Sequence, residues 1–539
     1  MGHWWQEKVV YQIYPRSFCD SNGDGIGDIP GIISKLDYLK NLGIGILWLS
    51  PVYCSPNEDN GYDISDYRDI NPEYGTMKDM EILIFEAGKR DIRIIMDLVI
   101  NHTSDQHEWF LKSRDKSSPY RDYYFWREGK NGKLPNNWTS FFAEDAWEYD
   151  EESGEYYLHL FAKGQPDLNF HHPKVLEEVK EILRFWLDKG IAGFRCDVIN
   201  IIWKSSLSDG KKKLVLTGSE HYLSQEGNHE ILRTLRKEVF DHYDCFTVGE
   251  TVFVTPSMGR DLCDEKRKEL DMIFSFEHME TDQFFVKWFP RKFSPKRFSR
   301  TLSKWQQALS WNANYLENHD QPRSVSRFSN DKEYLEASAK MLATLLLTLR
   351  GTPYIYQGQE IGMTNVAFTD IDQITDIESK NLYKMTEKLH IPKGYRWRMI
   401  MRGTREHART PMQWDDSSQA GFTTGKPWIP VNGNYELINM KNQVENSGSV
   451  MNFYRTLITL RKENEVLLSG GFRELKISKN VFAYQRELEG TIFTVILNFT
   501  KKMVKADFKG QLLLSTYNEK TYHGVLLPYE AVILREEKQ

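Results

Sequence analysis

Cysteine is scarce in this chain of 539 residues: Cys19, Cys54, Cys196, Cys245 and Cys263 are all there are, an odd number with no CxxC spacing. That excludes a disulfide scaffold and a thiolate metal knuckle, and leaves reduced core thiols in a cytoplasmic protein as the expectation. No apolar run approaches the ~18 residues that span a bilayer. The richest, MLATLLLTL before Arg350, is short and interrupted by threonines. The opening MGHWWQEKVVYQIYP lacks the basic-then-apolar order of a secretory signal. Charge of one sign is not in excess either: 70 Lys and Arg stand against 76 Asp and Glu, a formal net charge of -6. With the basic residues scattered, neither nucleic acid nor a membrane is expected as a partner. A P-loop, a lysine cluster and a Ser nucleophile elbow are missing, which sets phosphoryl and acyl transfer aside. Internal repeats and low-complexity linkers are absent too.

Short apolar runs ending in polar residues are present instead, eight of them, at 9–18, 43–52, 93–102, 191–199, 245–251, 270–276, 312–320 and 352–360. Amphipathic stretches such as MKDMEILIFEAGKRD and PKVLEEVKEILRFWLDKG lie between several of them. Strands alternating with helices imply parallel βα units, and eight units close a (β/α)8 barrel of the α/β class. From His102 to about Pro173 the chain is rich in Trp, Tyr, Asp, Asn and Gly without helical period. This reads as a subdomain inserted after the third strand. Beyond a helix near 449–466, alternating runs such as NVFAYQREL, TIFTVILNF and AVILRE suggest a small antiparallel β-domain. The expected limits are 1–102 and 174–466 for the barrel, 103–173 for the insertion and 467–539 for the C-terminal domain.

The strand ends carry the chemistry. In GFRCDVIN, Arg195 and Asp197 are two apart and face one side of a strand. Neither charge can be buried alone, so the arginine is expected to pair with the aspartate and hold its pKa low. The neighbouring run ends in VGE at Glu250, the seventh in ENHD at His319 and Asp320, and the third in DLVINH, with Asp97, Asn101 and His102. Polar strand ends at the C-terminal rim of a barrel are where its enzymes act. An ionised Asp with a second carboxyl one strand along suits glycoside hydrolysis.

These motifs, with QPDLN at 165–169, resemble the α-amylase superfamily, and within it the oligo-1,6-glucosidase and dextran glucosidase group, end to end. The resemblance implies Asp197 as nucleophile, Glu250 as general acid and then base, and Asp320 on the sugar's 2- and 3-hydroxyls. It implies substrate contacts from Tyr62, Asp63, His102, Phe161, Arg195, Val198, His319 and Arg409, hence an exo-acting enzyme. A valine after the nucleophile goes with α-1,6 linkages in that group. DSNGDGIGD resembles its structural cation loop, with Asp20, Asn22, Asp24, the Ile26 carbonyl and Asp28 as ligands for Ca2+, Mg2+ being the alternative. An EF-hand is excluded because Gly31 stands where the bidentate Glu is needed. FEHMETD at 276–282 replaces the Arg-rich RLDRD loop of sucrose isomerases, which favours hydrolysis. Val252 departs from the tryptophan of dextran glucosidases and puts long dextrans in doubt. The expected reading is a monomeric retaining α-glucosidase for short isomalto-oligosaccharides. A trehalose-6-phosphate hydrolase, suggested by KWFPRKFSPKR at 287–297, and an α-1,4 or sucrose-type glucosidase remain open, and an inactive sugar-binding or transporter-associated relative stands as the non-enzyme alternative.

Overall fold

A computed structural model describes residues 2–537 except 131, 143, 214 and 285, so the expected domain limits at 1 and 539 lie outside the described residues. All eight apolar runs form strands: β1 (Val10–Ile13), β2 (Ile46–Leu49), β3 (Arg93–Leu98), β4 (Gly193–Cys196), β5 (Phe246–Thr251), β6 (Met272–Ser275), β7 (Ala313–Asn314) and β8 (Thr352–Tyr356). They lie in the order β6-β5-β4-β3-β2-β1-β8-β7, every pairing parallel. The two end strands are tied by a side chain: the Tyr315 hydroxyl, just past β7, donates to the Ser275 carbonyl of β6 at 3.0 Å. The result is a nearly closed barrel.

Helices α1 (Leu36–Leu42), α2 (Met77–Lys89), α3 (Pro173–Asp188), α4 (Glu226–Glu238), α5 (Pro256–Cys263), α6 (Pro295–Ala308), α7 (Leu335–Thr348) and α8 (Val450–Glu463) each follow one strand. Their starts are written locally. Thr76 and Asp79 close a capping box on α2, Thr255 caps α5, and α3, α5 and α6 carry proline in the first turn. The MLATLLLTL run belongs to α7, which is buried all round, Ala337 through Thr348 without exception. Leu342, Leu345, Leu346 and Leu347 each contribute roughly 2 kcal/mol by that burial.

The C-terminal sheet is antiparallel, with β9 (Gly471–Ile477), β10 (Val481–Leu488), β11 (Thr491–Asn498), β12 (Gln511–Ser515) and β13 (Ala531–Glu537) in the order β9-β10-β11-β13-β12. Strand β9 was not among the expected runs; only Phe472, Leu475 and Ile477 alternate with its polar residues, and all are half-buried. The sheet is stapled to the barrel by Arg486, which donates to the carbonyls of Thr348, Leu467 and Gly470 at 2.8–2.9 Å.

Between β3 and α3 the insertion forms a helix at Glu108–Ser113 and a three-stranded antiparallel sheet of Trp126–Arg127, Glu155–Leu158 and Trp147–Asp150. Its core of Phe125, Trp138, Trp147, Leu158 and Leu160 takes in Val198, Ile201 and Tyr222 from the chain after β4. Trp138 Nε1 also donates to the Ser208 carbonyl, so residues 205–222 pack with the insertion although the sequence reading gave them to the barrel. A buried ion pair locks the junction: the Lys204 ammonium meets Asp167 of QPDLN at 2.6 Å and Asn101 at 2.8 Å. A helical pair at Ile377–Lys388 and Lys393–Gly403, after β8, was not foreseen; its core of Ile374, Met399, Ile400 and Ile429 closes on Trp288.

Candidate active site

Gly193 opens β4 because a Cβ there would sit 2.0 Å from the Phe246 carbonyl oxygen, at φ +148°. The close approach sets β4 against β5, with Arg195 opposite Val248 and, on the other side, opposite Asp97 of β3. Arg195 is buried and forks between three carboxylates. Its Nη1 donates to Asp97 at 2.6 Å and to Asp197 at 2.5 Å, and its Nη2 donates to Glu250. The expected Arg195–Asp197 pair is present, but the arginine is shared.

That sharing corrects the expected electrostatics. One guanidinium cannot offset three buried carboxylates, so burial, with the charges of Glu250 and Asp97, pushes the Asp197 carboxyl well above its usual range despite Arg195. Asp197 and Glu250 are brought together by Arg195, which donates to both. Asp97, which also accepts from Trp48 Nε1 at 3.0 Å, is raised by burial to about 6.

Asp320 behaves oppositely. Burial would raise it, but the guanidinium groups of Arg405 and Arg409 outweigh that and hold it ionised, far below the usual carboxylate range. Arg409 donates to its Oδ1 at 2.9 Å and Arg405 at 3.3 Å. His319 Nε2 lies 3.2 Å from Asp320 Oδ2, too bent for a hydrogen bond, while its Nδ1 faces the Gln12 amide at 2.8 Å. Burial, aided by the nearby arginines, pushes His319 down to about 3, so the ring is neutral. Tyr62 stacks on it, 5.2 Å between centroids and 5° off parallel.

His102 accepts at Nδ1 from Asn101 and faces the Tyr62 carbonyl with Nε2 at 3.0 Å, which assigns the proton to Nε2. Burial lowers it to about 4. Phe161 packs on His102 with centroids 5.1 Å apart. Val198 has φ +35°, which costs a β-branched residue on the order of 1–3 kcal/mol. The turn brings its backbone nitrogen to 3.4 Å from Glu250.

Ten expected residues thus converge: Asp197, Glu250, Asp320, Tyr62, His102, Phe161, Arg195, Val198, His319 and Arg409. Asp63 does not join them. Its carboxylate accepts from the amides of Glu58 and Asp59 and from Ser55, so it holds its own loop together. The loop instead offers Asp59, which meets Arg405 at 3.3 Å and Gln165 at 3.3 Å. Sequence reasoning missed Arg405, which also binds Asp376. The signal was available: Arg405 and Arg409 are four apart, one helical turn, in REHAR.

The 20–28 loop lies outside this cluster. Asp20, Asn22 and Asp24 each accept from the amide two residues on, at 2.8–2.9 Å, and Asp28 caps the helix Ile29–Ser34 through Gly31. Thr423 donates to Asp20 at 2.5 Å; burial works against ionisation there, but Thr423 and the loop amides keep Asp20 low. Among the described residues no three His, Cys, Asp or Glu side chains gather as a metal-binding group. A cation here would therefore rest on the Asn22 amide and the Ile26 carbonyl as well, an all-oxygen set suited to Ca2+ or Mg2+. The five cysteines are free thiols, and among the described residues no helix is long and apolar enough to cross a membrane.

Residues 12–470 match the family described as alpha amylase, catalytic domain. The chain is 54% identical to an oligo-1,6-glucosidase of Parageobacillus thermoglucosidasius over 93% of its own length and 91% of the relative's. Among solved structures, the trehalulose synthase of Pseudomonas mesoacidophila is similar at TM-score 0.95 and 42% identity, covering 99% and 100% of the two chains. The trehalose-6-phosphate hydrolase of Bacillus licheniformis is similar at TM-score 0.95 and 41% identity, with the same coverage.

Proposed function

The chain belongs to the alpha-amylase family and is a glycoside hydrolase, and from that premise we propose that it is a retaining exo-α-glucosidase cleaving α-1,6 bonds at the non-reducing end of isomaltose and short isomalto-oligosaccharides. One observation carries the mechanism: Arg195 binds Asp197 and Glu250 together, so that the two carboxyls stand side by side on adjacent strand ends. Retention needs two carboxyls only about 5 Å apart.

In the first step an Asp197 oxygen attacks the anomeric carbon. The bond from that carbon to the glycosidic oxygen breaks, its electron pair stays on that oxygen, and Glu250 gives it a proton. In the second step Glu250, now a carboxylate, takes a proton from water as the water oxygen attacks the same carbon and frees Asp197. Asp320 and Asp59, each held by Arg405, accept from the glucose hydroxyls, and the neutral His319 donates from Nε2, while the Nε2 proton of His102 goes to the Tyr62 carbonyl and holds the loop that carries Tyr62. The ring of Tyr62 supplies the apolar platform. Arg405 and Arg409, bound to Asp320 and Asp59, are the groups proposed to bound the non-reducing end, so that one glucose unit is removed at a time.

The linkage rests on Val198, whose side chain is held in the insertion's core next to the acid. The phosphorylated-sugar reading has less support, since Lys287 of KWFPRK is bound to Glu378 at 2.5 Å and not left free for a phosphate. The 20–28 loop is proposed as a Ca2+ site that supports the loop around Asp20 and supplies no step of the reaction. The free thiols fit a reducing compartment, and a cytoplasmic monomer is the proposed form. Glucose release from isomaltose, maltose, sucrose and trehalose-6-phosphate tests the reading, with Asp197→Asn as control. Isomaltose should be cleaved best and the variant should be inert; preference for another sugar would overturn the linkage, and an active variant the mechanism.

A further inference from the structure

The β4–β5 ladder runs Phe246/Gly193, Thr247/Phe194, Val248/Arg195, Gly249/Cys196 and then stops, because the chain after Cys196 turns away at the nucleophile. Glu250 and the two residues after it would be left without a neighbour on that side at the place where the acid must be held still. Two contacts replace the ladder. The Ile199 amide donates to the Glu250 carbonyl at 3.0 Å. The side-chain amide of Asn200 then pairs with Val252 at both ends: Oδ1 accepts from the Val252 amide at 3.0 Å and Nδ2 donates to the Val252 carbonyl at 2.9 Å. A carboxamide has the donor and acceptor of a peptide unit, so Asn200 acts as one more rung.

Asn200 is fully buried and is itself held at both ends. Its Nδ2 donates to Ser224 Oγ at 2.9 Å, and the Ser224 amide donates to the Asn200 carbonyl at 2.7 Å. Three non-glycine residues around this rung have positive φ: Val198 at +35°, Ser224 at +48° and Phe253 at +54°. Such conformations persist only where surrounding contacts fix them. Their clustering on either side of the nucleophile and the acid marks a segment whose geometry is imposed.

We infer that Asn200 is a positioning residue for the general acid, setting the carboxyl of Glu250 against Asp197 and the glycosidic oxygen by pairing with Val252. The inference rests on the α-glucosidase reading. It predicts a selective defect, because a sugar leaving group needs the proton of Glu250 while fluoride leaves with little need of it.

The test compares wild type, Asn200→Ala and Ser224→Ala as full-length protein on isomaltose and on α-glucosyl fluoride, by kcat/KM across pH. For Asn200→Ala the expected result is a fall of about 10²-fold on isomaltose, the scale of a misplaced acid, against less than about 3-fold on the fluoride. The limb of the isomaltose pH profile that reports the acid should move as well. Equal losses on both substrates, or no loss on isomaltose, would overturn the inference and leave Asn200 a loop staple. Should Asn200→Ala not fold, Ser224→Ala decides, with a smaller loss of the same selectivity expected and a uniform loss or none counting against it. If wild type cleaves the fluoride but not isomaltose, the linkage reading falls, and the comparison is run with whichever glucoside it does cleave. Wild type inactive on both would end the α-glucosidase reading and this inference together.

Discussion

Arg195 and Arg486 are both buried, one at the strand ends and one under the C-terminal sheet, and they are compensated in opposite ways. Arg195 faces Asp97, Asp197 and Glu250, and burial, with the surplus of negative charge, raises Asp197 and Asp97. Arg486 faces only neutral carbonyls; burial pulls it down to about 9, so it stays charged at neutral pH. The interface uses a charge to gather dipoles that would otherwise lose their partners, which makes a staple. The strand ends crowd more carboxylates than one cation can satisfy, which makes a reactive pair. A buried arginine is thus no sign of function in itself; its complement of acids is.

Arg195→Met should produce the largest effect. Three buried carboxylates lose their cation, at a cost of about 3–5 kcal/mol near neutral pH, and kcat should fall by at least about 10³-fold. Asp97 and Asp197, already raised, rise further, so the variant's stability is present at low pH and is lost as pH rises. Thermal unfolding of variant and wild type from pH 4 to pH 8 should show the deficit widening upward. Arg486→Met should cost about 2–4 kcal/mol by stranding carbonyls, evenly across that range and with kcat unchanged. A fall in kcat without loss of stability there would break the contrast.

Asp97→Asn sharpens it. Asp97 is raised to about 6, so its contribution to stability is fully present below the ordinary carboxylate pKa near 4 and lost as pH rises through 6. The variant should lack this slope, worth roughly 2–3 kcal/mol. The smallest effect is expected at the 20–28 loop: chelation should lower the melting temperature by a few degrees and Ca2+ should restore it, with kcat unaltered. An unchanged melting curve would remove the cation from the account.

The sequence made the barrel legible because each buried run ends in residues that a strand interior does not tolerate unpaired. Asp197, Glu250, His319 and Asp320 were readable on that ground. Asp59 was not: NEDNGYD offers three acids, and only the folded loop turns Asp63 inward on the amides of Glu58 and Asp59 while leaving Asp59 to Arg405. Arg405 was signalled by its four-residue spacing from Arg409, but its meeting with Asp59 and Asp320 over long separations in the chain leaves no trace in local pattern. The direction of the Asp197 shift failed for a related reason. GFRCDVIN displays one partner for Arg195, whereas Asp97 and Glu250 come from neighbouring strands.

The most direct test of the central claim is to trap the intermediate. Glu250→Gln, fed α-glucosyl fluoride so that the missing acid matters little and the missing base stalls hydrolysis, should accumulate a covalent adduct one anhydroglucose heavier. Peptide mass spectrometry should place it on Asp197. An adduct on another residue, or inverted glucose released with no adduct formed, would contradict the assignment of Asp197 as the nucleophile.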